Sequence, residues 1–385
     1  MIAGAAICRP KPYNIVYLRA AGCRPYREKS MHILNFELHN FRNIARVKIE
    51  PSAGVNVIFG ENGHGKTSLL EGIWLFTGCR SFRCADAGEM IKEGEEKAKL
   101  SAGFISNERE QSAQIEIAGR RSLTLNGFAQ ETPRRMLGVF PAVAFTPDTL
   151  SLAKGGPGER RRFLDVALSM LTPAYAVRLA KYLKALAQRN ALLRQQSPSE
   201  ELLDTWDQSL AIEAAGILSA RLRWLEEMMP RAQEFYWRIS AGRESLEIAP
   251  AITGVEAAEG ADYLAAFART RQNDLRRQMT TVGPHRDDLL LRLDGRSLRD
   301  FGSQGQKRSA ALALKLAEAA VLGEITQEAP VALLDDVLSE LDAHRQADLL
   351  KYLEGWQVFL TCCEPSHAVH GRAGKVFCVR AGEVE

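Results

Sequence analysis

The feature that most restricts this chain is an octapeptide, Gly60-Glu61-Asn62-Gly63-His64-Gly65-Lys66-Thr67, which satisfies G-x-x-x-x-G-K-[ST] throughout. It follows a β-rich apolar run, Val55-Asn56-Val57-Ile58-Phe59, and precedes Leu69, Leu70, Ile73, Trp74 and Phe76 at helical spacing. A strand, a glycine loop and a helix N-terminus in that order make a cradle for phosphate. The glycines let backbone N–H groups turn inward, and the helix end adds partial positive charge at the same point. Lys66 then reaches the β- and γ-phosphates, while the Thr67 hydroxyl can ligate Mg2+. Such a chain is expected to bind ATP through Gly60, Glu61, Asn62, Gly63, His64, Gly65, Lys66, Thr67 and Ser68.

A second apolar strand, Pro330-Val331-Ala332-Leu333-Leu334, ends in Asp335 and Asp336. Parallel sheets present strand C-termini at the nucleotide crevice, so both acids can face the metal. Asp335 is expected to orient Mg2+ with Thr67, and Asp336 to polarise the attacking water. Lys66 and Asp336 are therefore the catalytic candidates. Upstream, Ser303-Gln304-Gly305-Gln306 precedes an Ala/Leu-rich helix from Lys307 to Leu322. A plain capping box would produce the same letters, because Ser303 and Gln306 stand at N-cap and N3 spacing. The succession of phosphate loop, this tetrapeptide, acidic strand and Ser339-Glu340-Leu341-Asp342 resembles ATP-binding-cassette ATPases. In that class the signature helix of one subunit meets the γ-phosphate held by the other, which makes ATP the glue of a homodimer.

The rest of the chain is organised around these landmarks. Residues 32–38 alternate as a half-buried strand, residues 45–50 read as another, and residues 114–125 suggest a hairpin turning at Gly119-Arg120. Residues 173–195 and 200–229 carry apolar side chains at helical spacing, with Pro230 expected to close the second run. They suggest a helical hairpin on the order of 35–45 Å per helix. Residues 241–260 suggest a loop, residues 262–279 a helix, and the α/β pattern resumes after Thr280. The expected architecture is an α/β P-loop ATPase lobe of the cassette type, with a mixed sheet, from residues 31–147 and 281–385. A helical lid, residues 148–280, is inserted into it.

Composition sets outer limits. No run approaches the roughly 20 apolar residues of a membrane helix. The seven cysteines have no metal-ligand spacing and suit free thiols in a reducing cytoplasm. The net charge is +3, yet residues 1–30 alone hold six Lys/Arg against Glu28, so the remainder is close to neutral. Met31 stands directly before the first patterned strand, and residues 1–30 are expected to be a dispensable extension. A DNA-grasping basic arm is the sharper alternative.

Within the cassette class the chain resembles the RecF family. Phe41-Arg42-Asn43 is similar to a nucleotide-proximal motif, which implies Arg42 at the ATP site. Gly78-Cys79-Arg80-Ser81-Phe82-Arg83 is similar to an arginine-bearing segment behind the phosphate loop. Residues 154–165 and 282–289 are longer matches, and Asp335-Asp336 followed by Val337-Leu338-Ser339-Glu340-Leu341-Asp342 also fits. The resemblance implies a DNA-repair and replication protein that clamps DNA, duplex or gapped and regardless of sequence, as an ATP-dependent dimer. It further implies work with RecR and RecO mediators to load RecA and a role in SOS induction, while two departures from transporter-type cassettes suggest slow ATP hydrolysis. Transporter-type cassettes differ, since strand 358–360 here ends in Thr361-Cys362 where they carry a switch histidine, and His367 is out of register. No glutamine is placed for the loop that links the two lobes. An ATPase-nuclease would need a further carboxylate domain, and the segment after Asp342 is too short for one. A scaffold that dimerises without useful turnover differs only in rate. Arg160, Arg161 and Arg162 are the DNA-contact candidates, with Arg134-Arg135 and Arg276-Arg277 as further clusters. Each is first a solvated or salt-bridged face and only then a phosphate contact.

Overall fold

A computed structural model describes residues 30–83, 86–364 and 373–384. The expectations for the N-terminal extension and for His367 lie outside the described residues, except for Ser30. The chain begins with β1 (His32–Phe41) and β2 (Ile44–Ile49), then crosses to β3 (Val55–Phe59) and helix α1 (Lys66–Leu75). Four strands return to β1: β4 (Ala98–Ser106), β5 (Arg109–Ala118), β6 (Arg120–Leu125) and β7 (Phe128–Gln130). They form an antiparallel sheet of order β2-β1-β4-β5-β6-β7. β4 alternates strictly between buried and half-buried residues, as a sheet packed on one face should. β5 and β6 turn at Gly119 as expected, whereas the Asn107-Glu108 turn between β4 and β5, with positive φ at both residues, escaped the sequence reading.

Next come β8 (Ala142–Phe145), the short α2 (Pro147–Leu150), and three longer helices: α3 (Pro157–Leu171), α4 (Pro173–Leu193) and α5 (Glu200–Ile239). β9 (Leu246–Ala251), α6 (Gly260–Arg277), β10 (Asp288–Leu293), β11 (Arg296–Ser297) and α7 (Leu298–Phe301) follow. The chain finishes with α8 (Gln304–Thr326), β12 (Val331–Asp335), α9 (Ala343–Tyr352), β13 (Val358–Cys362), β14 (Ala373–Arg380) and β15 (Glu383–Val384). A second sheet has the order β15-β14-β3-β13-β12-β8, with all but β15 parallel. Every residue of β12 is buried, which explains its unbroken apolar run. Helix α1 packs between the two sheets, against β1 on one side and β12 and β13 on the other. Phe36, Phe76, Phe104 and Phe140 meet ring to ring in the core. That packing fixes the loop between β3 and α1.

Two local expectations fail. Pro230 does not end its helix: α5 runs on to Ile239, 40 residues in all and about 60 Å at 1.5 Å rise per residue. Pro230 is exposed, so water can reach the carbonyl whose helical partner is lost, while Trp224, Met228, Ala232 and Tyr236 stay buried on the same face. Packing overrides the breaker. The second failure is the loop expected at 241–260, which contains β9. This strand pairs antiparallel with β10 in a small sheet of order β11-β10-β9, packed on α3 and α5. Pro250 is tolerated because β9 is an edge strand of that sheet. The pattern that resumes after Thr280 therefore first builds this small sheet, and the parallel sheet is rejoined at β12.

Buried arginines tie the helices together. Arg221 donates to Asp165 at 2.8 Å and to the Pro284 carbonyl at 2.8 Å. Arg189, fully buried, bonds Asp207, Asp274 and Thr280. Arg160 forms a two-pronged pair with Asp288 at 2.7 and 2.8 Å and is 4% exposed. It is therefore a structural clamp between α3 and β10, and the expectation that it contacts DNA is corrected.

Candidate nucleotide site

The loop between β3 and α1 lines a cavity of about 430 Å3 together with Arg42, Asn43, Arg83, Asp335, Asp336 and Thr361. Two glycines are dictated by their neighbours. A Cβ on Gly60, at φ +152, would lie 2.2 Å from the Val379 carbonyl oxygen of β14. Gly65 caps α1 at φ +116, and there a Cβ would press on Asn43. Asn43 itself donates to the Gly63 carbonyl at 2.8 Å and accepts from the Ser68 hydroxyl at 3.0 Å. The loop is thus pinned from outside by β14 and by the turn after β1, leaving its inner face to a ligand. Lys66 is 7% exposed and its ammonium donates to the Gly60 and Glu61 carbonyls at 2.6 and 3.0 Å. His64 and Glu61 pair at 3.5 Å on the loop's rim.

Opposite the loop, Thr67 Oγ1 donates to Asp335 Oδ1 at 2.9 Å. Thr361 Oγ1 donates to the same oxygen at 3.0 Å and accepts the Asp336 N–H at 2.8 Å. These contacts follow from strand order: β13 lies between β3 and β12, so its last residues separate the two strand ends that carry the chemistry. Burial raises the Asp335 carboxyl above its ordinary value, Asp336 pushes the same way, and the two hydroxyls and Arg83 oppose them. A carboxyl raised by burial, with a second acid next in sequence and a threonine hydroxyl beside it, fits a hard divalent cation that also takes phosphate oxygens. Thr67 and Asp335 are the residues suited to hold Mg2+.

The buried Glu71 was missed in the sequence. It accepts both arms of Arg42 at 3.0 and 2.8 Å, the Ser81 hydroxyl at 2.5 Å, and Arg83 at 3.4 Å. One carboxylate with two guanidiniums leaves a cationic excess, and both arginines line the cavity. Nothing in the sequence distinguishes Glu71 from a solvated helical acid. Only the packing of α1 under segment 81–83 reveals it.

Ser303, Gln304, Gly305 and Gln306 do not line this cavity. Ser303 caps α8 in a complete capping box with Gln306, whose amide also donates to Glu244 at 2.7 Å. Ser303 and Gln304 are exposed. Arg308 ties the same helix to Glu340 of the 339–342 segment, so these two sequence landmarks share one face of the chain. Arg161 donates to the Asp287 carbonyl and Arg162 to the Ser81 carbonyl, at 2.8 and 2.9 Å. Cys79, Cys362, Cys363 and Cys378 are free thiols, and burial pushes Cys362 up to about 11. No helix among the described residues is long and apolar enough to cross a membrane.

Comparison with known proteins matches this geometry. The family described as RecF/RecN/SMC N terminal domain matches residues 32–372. The DNA replication and repair protein RecF of Agathobacter rectalis is 36% identical over 364 residues, 92% of this chain and 99% of the relative. That of Heliobacterium modesticaldum is 38% identical over 373 residues, with coverage of 92% and 99%. A solved structure of the recombination mediator protein RecF-ATP in the RecFOR pathway superposes with a TM-score of 0.86 at 35% identity. It covers 93% of this chain and 98% of its own. The Smc head domain of Pyrococcus furiosus, at 19% identity and a TM-score of 0.54 over 92% of this chain and 95% of its own, shares the fold. With that ATPase fold, and with full-length relatives well above 30% identity, the chain belongs to the RecF family.

Proposed function

We propose that this protein is an ATP-dependent DNA clamp of recombinational repair and replication, in which two copies sandwich ATP. The carrying observation is the junction of Thr67, Asp335 and Thr361 at the mouth of the glycine loop. ATP is taken by Gly60 through Ser68, with Arg42 and Arg83 adding charge around its phosphates. Mg2+, when bound by Thr67 and Asp335, neutralises phosphate charge. Asp336, held through its own N–H by Thr361, orients water for a slow hydrolysis that resets the clamp. The tip of α8, Ser303 to Gln306, does not line the site of its own chain. A capped helix N-terminus can present N–H groups to a partner's γ-phosphate, which supports contact in trans. Residues 31–147 and 281–385 then act as the ATPase lobe and residues 148–280 as the lid, with the β9–β11 sheet riding on the lid side.

Relatives described as DNA replication and repair proteins, and as mediators in the RecFOR pathway, support DNA together with RecO and RecR as partners. RecA loading at gaps and SOS induction would be the downstream consequences. ATP favours the dimer, the dimer favours DNA, and by linkage DNA favours both. Sedimentation with and without ATP and DNA tests this. Wild type should pair with ATP, Lys66→Met should lose nucleotide, and Ser303→Arg should keep nucleotide yet stay single. A Ser303→Arg protein that pairs like wild type would overturn the contact in trans.

A further inference from the structure

Five arginines from separate stretches of sequence line one cleft of about 730 Å3: Arg80, Arg83, Arg134, Arg161 and Arg162. They come from the segment after α1, from the turn before β8 and from α3. Asp165 is the one acid among the described residues that line it, and Tyr175 and Arg221 already engage it. A chain whose body is close to neutral thus concentrates positive charge at one place, and concave walls focus that field. Three of the arginines are pre-set: Arg83 by Glu71, Arg161 by the Asp287 carbonyl and Arg162 by the Ser81 carbonyl. Among the described residues, Arg80 and Arg134 have no partner for their guanidinium groups, and both are exposed. The remaining wall includes Leu137, Val166 and Leu179, and among the described residues no aromatic ring lines it.

We propose that this cleft seats one phosphodiester strand of the DNA, and that segment 80–83 relays its occupancy to the nucleotide site. The inference rests on the reading that the protein binds DNA, and adds where it does so. Guanidiniums without aromatic rings grip phosphates rather than stacked bases, so recognition is indifferent to sequence. Charge density favours a polyanion over an apolar protein segment. The relay is short. Arg83 lines both the cleft and the nucleotide cavity. Ser81, whose carbonyl holds Arg162, donates through its hydroxyl to Glu71, the carboxylate that also holds Arg42. A phosphate drawing on Arg83 or Arg162 therefore pulls on the network around Glu71.

The test compares full-length wild type with Arg80→Ala/Arg134→Ala, using fluorescence anisotropy of labelled duplex and gapped DNA with ATP across a salt titration. Both side chains are exposed and outside the nucleotide cavity, so ATP affinity without DNA should hold. Losing two phosphate contacts should weaken DNA binding roughly 10- to 100-fold near 0.1 M salt and flatten the slope of log K against log salt by about two. Arg80→Lys/Arg134→Lys should recover most of the affinity, and Arg276→Ala/Arg277→Ala should leave it unchanged. A double alanine variant with wild-type affinity and slope overturns the proposal, and the cleft then becomes a dock for an acidic segment of another protein. If wild type with ATP binds no DNA, the functional reading itself fails, and the proposal with it.

Discussion

Replacing Thr361 by valine removes a single hydroxyl that serves two acids. The side chain is 1% exposed, so water cannot take its place. The Asp336 N–H loses its acceptor, which costs about 1–3 kcal/mol for a buried donor. Asp335 loses one of its two hydroxyl donors, each worth roughly 1.5–3 kcal/mol when the acceptor is charged. The second loss is partly recovered, because the raised Asp335 carboxyl can take up a proton instead, and valine adds apolar contact. A net destabilisation of about 2–4 kcal/mol follows, equivalent to a fall in Tm of roughly 2–5 °C for a chain of 385 residues. Asp336 stands in left-handed backbone at φ +53, and the hydrogen bond from its N–H helps hold it there. ATP hydrolysis should therefore drop more than ATP affinity, since the phosphate loop is untouched. Thermal melting and single-turnover hydrolysis measure the two effects, and Thr361→Ser should restore both. A valine variant that melts and hydrolyses like wild type would refute the role assigned to this hydroxyl.

Two further outcomes follow from buried polar groups away from the nucleotide cavity. Arg189→Met leaves Asp207 and Asp274 buried with fewer donors, so urea unfolding should show a loss of about 3–5 kcal/mol. A change under about 1 kcal/mol would mean that the arginine is dispensable there. His285 is held neutral, its Nδ1 2.6 Å from the Tyr182 hydroxyl and its Nε2 3.1 Å from the Thr280 carbonyl, and burial lowers it to about 4. The unfolded chain binds this proton first. Its stabilising contribution is therefore complete above an ordinary histidine value of about 6.5 and is lost as pH falls through about 4, roughly 2–4 kcal/mol in all. His285→Asn should flatten unfolding free energy against pH in that window, and an unchanged slope would assign the acid sensitivity elsewhere.

Much of the candidate site was legible because a glycine loop and an acidic strand end are local devices. Gly60 to Thr67 must be glycine-rich where the backbone turns, and Asp335 must end a buried strand. Both constraints leave letters in the chain. The letters of Ser303 to Gln306 alone read as a cap, and only their place between glycine loop and acidic strand suggested a signature, because a helix end needs the same side chains whether or not a second copy meets it. What the letters left open was decided by burial. Pro230 sits inside a helix because the apolar face of α5 outweighs one missing hydrogen bond. Pro250 sits in a strand because that strand is an edge. Arg160, Arg161 and Arg162 are consecutive, yet one is locked against Asp288 while the other two join Arg80, Arg83 and Arg134 in a shared cleft. Charge is written residue by residue, but the field it makes depends on which residues the fold brings together. Only the tertiary structure settles that.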